Sequence, residues 1–323
     1  MKRIAFVLFA CAFMAAPTRA DLTDYSIFGV NGVDIGNYLQ IKGLVGSGGN
    51  VSVGNSGTVF DGARAGGDFS AGNYFSTPAG IDVVANGNIS VGNSATVGGS
   101  LIAGGTVTYG NFFSGTTVEG ASTPYSPIPT LPGPTSFTAG GGNVGDGTLI
   151  PGTYGTLSTG NYDTVTLSHG TYYFDAIALG NNCVVNLDVT GGDILIYSVG
   201  NISFGNFLDF NVTGGSARDI YIETHGNFNI GASGELFGTV FAPGGSVILG
   251  QSDIDAGNYL DLHGAFYSDN VVNLGNSNEI NLTEFEVSDH FAQMVNPVPV
   301  PGAVLLGMLG LSAAGVKLRR KRS

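Results

Sequence analysis

The feature that most constrains this chain is a short unit that recurs through its body, Gly-x-Φ-x-Φ-Gly-Asn, with Φ apolar. Gly49–Asn55, Gly67–Asn73, Gly87–Asn93 and Gly105–Asn111 fit it, and Asn31–Asn37 is a degenerate first copy. Later copies are Gly155–Asn161, Asp175–Asn181, Gly200–Asn206, Gly226–Ala232, Gly245–Gln251, Ser252–Asn258 and Asn270–Asn276. The early starts, at 31, 49, 67, 87 and 105, step by 18 to 20 residues. Self-similarity at such a period is the signature of a stacked architecture.

Each copy alternates apolar and polar residues, the period of a half-buried strand. Gly and Asn both tolerate the left-handed conformation, so each strand is expected to end in a turn on that pair. A coil of about 18–20 residues holds roughly three strand-and-turn sides. The predicted fold is therefore all-β: a parallel β-helix, or β-solenoid, with an apolar core and amide ladders of Asn at its turns. No residue dictates handedness; the right-handed form is expected. Twelve to fourteen coils would give a rod ~60 Å long. An antiparallel sandwich also has closely spaced strands, but does not require Gly-Asn at one coil period. The 54 glycines could signal disorder, but 43% hydrophobic content in β-branched and aromatic bursts argues against it.

The repeat is interrupted once. Pro124, Pro127, Pro129, Pro132 and Pro134 crowd Thr123–Thr138, and proline cannot donate to a ladder. The body thus divides into residues 21–122, a Pro-rich linker or loop at 123–139, and residues 140–290. Whether the two parts form one rod or two stays open.

The two ends read differently. Lys2 and Arg3, an apolar run from Ile4 to Ala16, and Thr18-Arg19-Ala20 form a secretory signal peptide, with cleavage expected between Ala20 and Asp21. At the other end, Pro297-Val-Pro-Val-Pro301 leads into an apolar run and then Lys317, Arg319, Arg320, Lys321 and Arg322. Counting from Val298 to Leu318, the run is long enough for a transmembrane helix, with the basic cluster on the cytoplasmic side.

Charge excludes one class of partner. Apart from those ends, only Lys42, Arg64 and Arg218 face all twenty-four Asp and Glu residues. A nucleic-acid binder needs Lys and Arg against phosphate, so no nucleic acid is expected. Cys183 is the one thiol after signal removal; it has no intramolecular partner and is expected to be a buried small hydrophobe.

The Pro-rich entry, short span and terminal Arg cluster together resemble the PEP-CTERM sorting tail of Gram-negative bacteria. Here Pro299-Val300-Pro301 stands where that family has Pro-Glu-Pro. The resemblance implies an exosortase-like processing enzyme acting near Pro297, Pro299, Val300 and Pro301, with Arg319, Arg320 and Arg322 as the retained charges. It also implies transient inner-membrane anchoring before the cell surface or matrix is reached. A second resemblance lies in the body. Asp24-Tyr-Ser-Ile-Phe-Gly-Val, Gly43–Val53, Phe237–Leu249 and Gly264–Asn270 look like the opening and closing coils of the choice-of-anchor A domain, a family of exported β-rich domains. That family implies a surface role and carries no catalytic residues across.

Candidate chemistry is sparse. A polysaccharide lyase needs a basic catalyst, and none of the three internal cations sits in an acidic cluster. A hydrolase needs paired carboxylates; Asp253, Asp255 and Asp261 are the best set, against a solvated acidic face. His169, His225, His263 and His290 lack metal-ligand spacing. No metal or cofactor is expected, and calcium has one imperfect nonapeptide-like stretch, Gly141–Leu149. Thr106-Val-Thr108 and Thr164-Val-Thr166 hint at the flat arrays of ice-binding surfaces, but do not recur coil after coil. Tyr38, Tyr74, Phe112, Phe207 and Tyr259 each follow Gly-Asn. They either form an aromatic strip for stacking sugar rings or close the coil corners.

The reading is a non-catalytic exported structural or adhesin-like protein of the surface or biofilm matrix, partnered by polysaccharide or other surface proteins. The alternative is a carbohydrate-binding or ice-binding-like module, and a polysaccharide-degrading enzyme comes third.

Overall fold

The computed structural model describes residues 21–250, 260–275, 280–284 and 286–296. They form an all-β stack of parallel strands in three faces, a solenoid-like rod. Every strand pairing is parallel. The recurrent unit builds one face of eleven strands, here called the flat face. Numbered along the rod, coils 1 to 6 contribute Thr156–Ser158, Ala176–Leu179, Ile202–Phe204, Phe228–Ile230, Val247–Leu249 and Val271–Leu274. Coils 7 to 11 contribute Gly32–Ile35, Asn50–Val53, Phe69–Ala71, Ile89–Val91 and Val107–Tyr109. Eleven strands at ~4.8 Å give a rod about 48 Å long, slightly shorter than expected.

The stack does not follow chain order. The first strand, Tyr25–Gly29, begins at coil 7, and the chain winds outward to coil 11. Residues 123–139 then return it to the opposite end, where it winds from coil 1 back to coil 6. The last coil meets the first: Gly29 pairs with Ser268, Val33 with Val272 and Gln40 with Asn281. One rod thus contains both parts.

The return segment is a strap along the rod. Ala121 N–H donates to Ala103 O in coil 11, and Gly140 N–H donates to Tyr154 O in coil 1. An α-helix of those nineteen or so residues would reach only ~29 Å. In polyproline II form they reach ~59 Å, enough for the ~48 Å required. The prolines keep the segment extended.

The alternating apolar residues fill the solenoid interior, for example Val33, Val51, Phe69, Ile89 and Val107 in register. A second core lies outside one face, the covered face. Its outward residues Phe28, Tyr197, Tyr221, Phe241 and Tyr267 are sealed by Leu22, Tyr125 from the strap and Phe291 from the helix Asp289–Val295. That explains strands buried on both sides, such as Tyr25–Gly29 and Ile220–Thr224. The helix follows the last strand of the rod. Ser288 caps it by accepting from Phe291 N–H, and one turn later its ring enters the second core. No helix among the described residues is long and apolar enough to cross a membrane. The expected transmembrane run lies outside the described residues.

Candidate functional site

The candidate site is the corner where the flat face turns into the third face. Asn side chains form a ladder there: each Oδ1 accepts the backbone N–H of the equivalent residue one coil on. Asn37 serves Asn55 at 2.7 Å, Asn55 serves Asn73 at 2.9 Å, and Asn73 serves Asn93 and Asn93 serves Asn111 at 2.8 Å. Asn161, Asn181 and Asn206 do the same in coils 1 to 3. The preceding glycine permits the close stacking. A Cβ on Gly92 would lie 2.6 Å from Asn73 N.

Except at coil 5, where Gly250 itself has φ of 59°, the left-handed conformation falls on neither Gly nor Asn, contrary to the sequence expectation, but on the next residue. Tyr38, Ser56, Tyr74, Ser94 and Phe112 have φ of 56–62°, and Tyr162, Asn182, Phe207 and Ser233 have φ of 57–65°. Asn is committed to the ladder and Gly to close packing, so the residue that follows makes the bend. Its side chain then points off the corner, and its successor returns to the core, as Leu39, Phe75 and Cys183 do.

Tyr38, Tyr74, Phe112 and Phe207 are therefore not corner filling. Their exposure runs from 46% at Phe207 to 88% at Phe112. Tyr162, not singled out from sequence although it also follows Gly-Asn, is 77% exposed on the same line. Tyr259 lies outside the described residues. An aromatic ring in the left-handed region costs about 1–2 kcal/mol. Exposed in water, it recovers little of that by burial.

The flat face beside this corner carries a central outward row of mostly short side chains. From coil 1 to 11 it reads Ser158, Ala178, Ser203, Asn229, Ile248, Asn273, Asp34, Ser52, Ser70, Ser90 and Thr108. Thr166, the other hinted array position, faces outward on the third face and is reached by Asn186 Nδ2 at 3.4 Å.

The covered face holds the most developed polar cluster. Glu223 is fully buried. Its carboxylate accepts Thr135 N–H and Thr135 Oγ1–H at 2.7 Å each, and Tyr221 O–H at 2.8 Å; His225 Nε2 lies 3.1 Å away. Burial first, and the Glu223 charge second, push the Tyr221 hydroxyl well above its usual value, so it remains a donor. Phe137 packs on His225 at 4.7 Å and on Tyr197 at 5.2 Å. These contacts fasten the strap. Sequence reading missed Glu223, which looks like any acidic residue of an acidic chain. A cavity of about 470 Å³ lies where Asp21, the strap prolines Pro129 and Pro132, and Met294 meet.

The other candidates are dispersed. Asp253 and Asp255 lie outside the described residues, while Asp261 stands in register beside Glu235 on the third face. His169 is exposed, His263 stacks on Phe237 at 4.3 Å, and His290 Nε2 lies 2.9 Å from Tyr197 OH. No group of three or more His, Cys, Asp or Glu among the described residues could hold a metal. In the calcium-like stretch, Asn143 Oδ1 accepts Thr156 N–H at 3.0 Å and so starts a ladder on coil 1. Cys183 is buried, as expected. Asp21 lies at mid-rod beside the start of the first strand, its carboxylate 2.6 Å from Asn296 Nδ2. Ala20, Pro297, Pro299, Val300, Pro301, Arg319, Arg320 and Arg322 lie outside the described residues.

Residues 145–307 match a family described as Domain of unknown function (DUF7305). That stretch includes the whole second winding, coils 1 to 6. The chain is also similar to a solved ice binding protein from an Antarctic bacterium, Flavobacteriaceae. Identity is 15%, coverage is 82% of this chain and 98% of that one, and the TM-score is 0.28. No curated protein matches the chain.

Proposed function

We propose, for a chain that belongs to the family of Domain of unknown function (DUF7305), a non-catalytic role as an exported adhesive rod that holds polysaccharide along its aromatic corner. The observation that carries this reading is the line of exposed rings at left-handed positions, Tyr162, Phe207, Tyr38, Tyr74 and Phe112. Folding alone would favour Asn or Ser there, which the intervening coils use. Regular strain at exposed sites points to a use outside the fold. Aromatic faces stack on the apolar faces of sugar rings, and a rigid rod meets a polymer without ordering loops.

Export by the N-terminal signal and sorting by the PEP-CTERM-like tail of a choice-of-anchor A type protein belong to the same proposal. Intact mass and cell fraction of the native protein test that part; a full tail retained in the inner membrane would refute release. For binding, a glycan array is probed with the full-length chain and with a Tyr38→Ser, Tyr74→Ser, Phe112→Ser variant. Equal signals for both would refute the corner as the site.

A second reading, ice binding, is favoured by the flat face, whose outward row is short and in register over eleven strands. Thermal hysteresis lost on Ser52→Tyr and Ser90→Tyr, but retained in the corner variant, would favour it over the first.

A further inference from the structure

The aromatic corner has a period, and the period selects a class of glycan; this inference rests on the carbohydrate reading and narrows it. On coils 1 to 4 the left-handed residue is Tyr162, Asn182, Phe207 and Ser233; on coils 7 to 11 it is Tyr38, Ser56, Tyr74, Ser94 and Phe112. Rings occupy the odd coils and small polar residues the even ones. At coil 5 Gly250 itself takes the left-handed conformation, with φ of 59°, and the residues that follow it, like those after Gly275 in coil 6, lie outside the described residues. The same alternation thus holds in coils 1 to 4 and in coils 7 to 11, which come from different parts of the chain.

Backbone bonds hold the positions in line. Tyr38 N–H donates to Asn55 O at 2.8 Å, Tyr74 N–H to Asn93 O at 2.9 Å, Tyr162 N–H to Asn181 O at 2.9 Å, and Phe207 N–H to Ala232 O at 2.9 Å. The ring-to-ring pitch is therefore two coils, ~9.6 Å, from coil 1 to coil 3 and again through coils 7, 9 and 11.

We propose that the ligand is a linear, uncharged, β-1,4-linked glycan in its extended two-fold form, as in cellulose or chitin chains. In that form each sugar is turned over relative to the last and advances by about one coil spacing. A ring at every second coil then meets the same face of every second sugar, and the three rings of coils 7 to 11 accommodate about five sugars. Half-buried Ser56, Ser94 and Asn182 lie under the intervening sugars, with room for their hydroxyls. α-1,4- and β-1,3-glucans curl into wider helices and leave a straight line after one or two rings. The chain's net charge of −13 repels polyuronates.

The test uses the full-length chain, with cellohexaose, chitohexaose, maltohexaose, laminarihexaose and polygalacturonate as probes, read by calorimetry. Serine replaces rings because Ser56 and Ser94 already occupy this place in the fold. The expected result is binding of the two β-1,4 hexaoses alone, weakened roughly tenfold for each ring removed. A phase variant, Ser56→Tyr with Tyr74→Ser, keeps the number of rings but moves one by a coil. It is expected to bind as weakly as Tyr74→Ser alone. Retained affinity in the phase variant, or equal binding of maltohexaose or laminarihexaose through the same rings, would overturn the β-1,4 assignment and leave the aromatic site standing. Loss of no binding on removing three rings, or binding of no probe, would overturn the carbohydrate reading itself.

Discussion

Replacing Glu223 by Ala removes the peg that fastens the strap, and its cost can be worked from the contacts. The carboxylate takes two donors from Thr135 at 2.7 Å and the Tyr221 hydroxyl at 2.8 Å. Tyr221 is fully buried, so its O–H loses its partner without access to water, at about 1–3 kcal/mol. Thr135 is half-buried and can turn to solvent, so it loses only the charge-assisted bonds, about 1–2 kcal/mol in total. Together these give about 2–5 kcal/mol. Glu223→Gln keeps one acceptor oxygen and should cost about half as much. The loss falls first on the strap, because the coils keep their ladders. Limited proteolysis within residues 123–139 should therefore accelerate about a hundredfold in Glu223→Ala, if opening is fast relative to cleavage. Far-UV circular dichroism before cleavage should remain that of the parent. A Thr135→Val partner should couple to Glu223→Ala by at least ~1 kcal/mol in a double-mutant cycle. Wild-type cleavage in Glu223→Ala, with a urea midpoint within ~0.5 kcal/mol, would refute the clasp.

Four further outcomes follow from particular contacts. Gly92→Ala sets a Cβ 2.6 Å from Asn73 N in the next coil and should destabilise by at least ~2 kcal/mol in urea titration. Gly80→Ala meets nothing within 4 Å and should cost only the strain of its φ of +78°, about 1 kcal/mol. Burial holds His290 below its ordinary value, against the opposing pull of Glu223 and Asp193. Protons thus favour the undocked helix: docking is fully stable above the unfolded value of about 6.5 and weakens as pH falls through the lowered one, which hydrogen exchange of residues 289–295 would detect. Cys183, fully buried, should react with Ellman's reagent only at the rate of unfolding.

What was legible in the sequence follows from what the repeat can encode. Alternation in Gly49–Asn55 and its copies specifies a strand, its inward residues and a turn, and all of these appear on the flat face. The third face was not legible, because Gln40–Ile41 and Thr58–Val59 are too short to show a period. Nor was the order of stacking. The units are nearly interchangeable at their ladders, so no unit names its neighbour. Coil 6 is joined to coil 7 by groups outside the repeat, such as the Tyr267 hydroxyl donating to Tyr25 O at 2.7 Å. The aromatic line was half legible. Its residues were visible after Gly-Asn, but their outward direction depends on the bend falling one residue later than expected.

The out-of-order winding also determines which surfaces stay open. The first and last described residues lie together at mid-rod, where Asn296 Nδ2 is 2.6 Å from Asp21 Oδ2. Both lie with the strap and the helix on the covered face. In a three-sided coil, the corner between the other two faces is opposite that one. A chain wound in simple order would have placed its ends at the two tips and needed no strap. Here the strap, the helix and both ends of the described chain occupy one side, and the rings they seal, Tyr25, Phe28, Tyr197, Tyr221, Phe241 and Tyr267, form the second core with Tyr125 and Phe291. The rings left exposed are concentrated on the opposite corner, in line. Burial of one aromatic set and exposure of the other follow from the same path of the chain, which keeps the rings of coils 1, 3, 7, 9 and 11 clear of the strap and the helix.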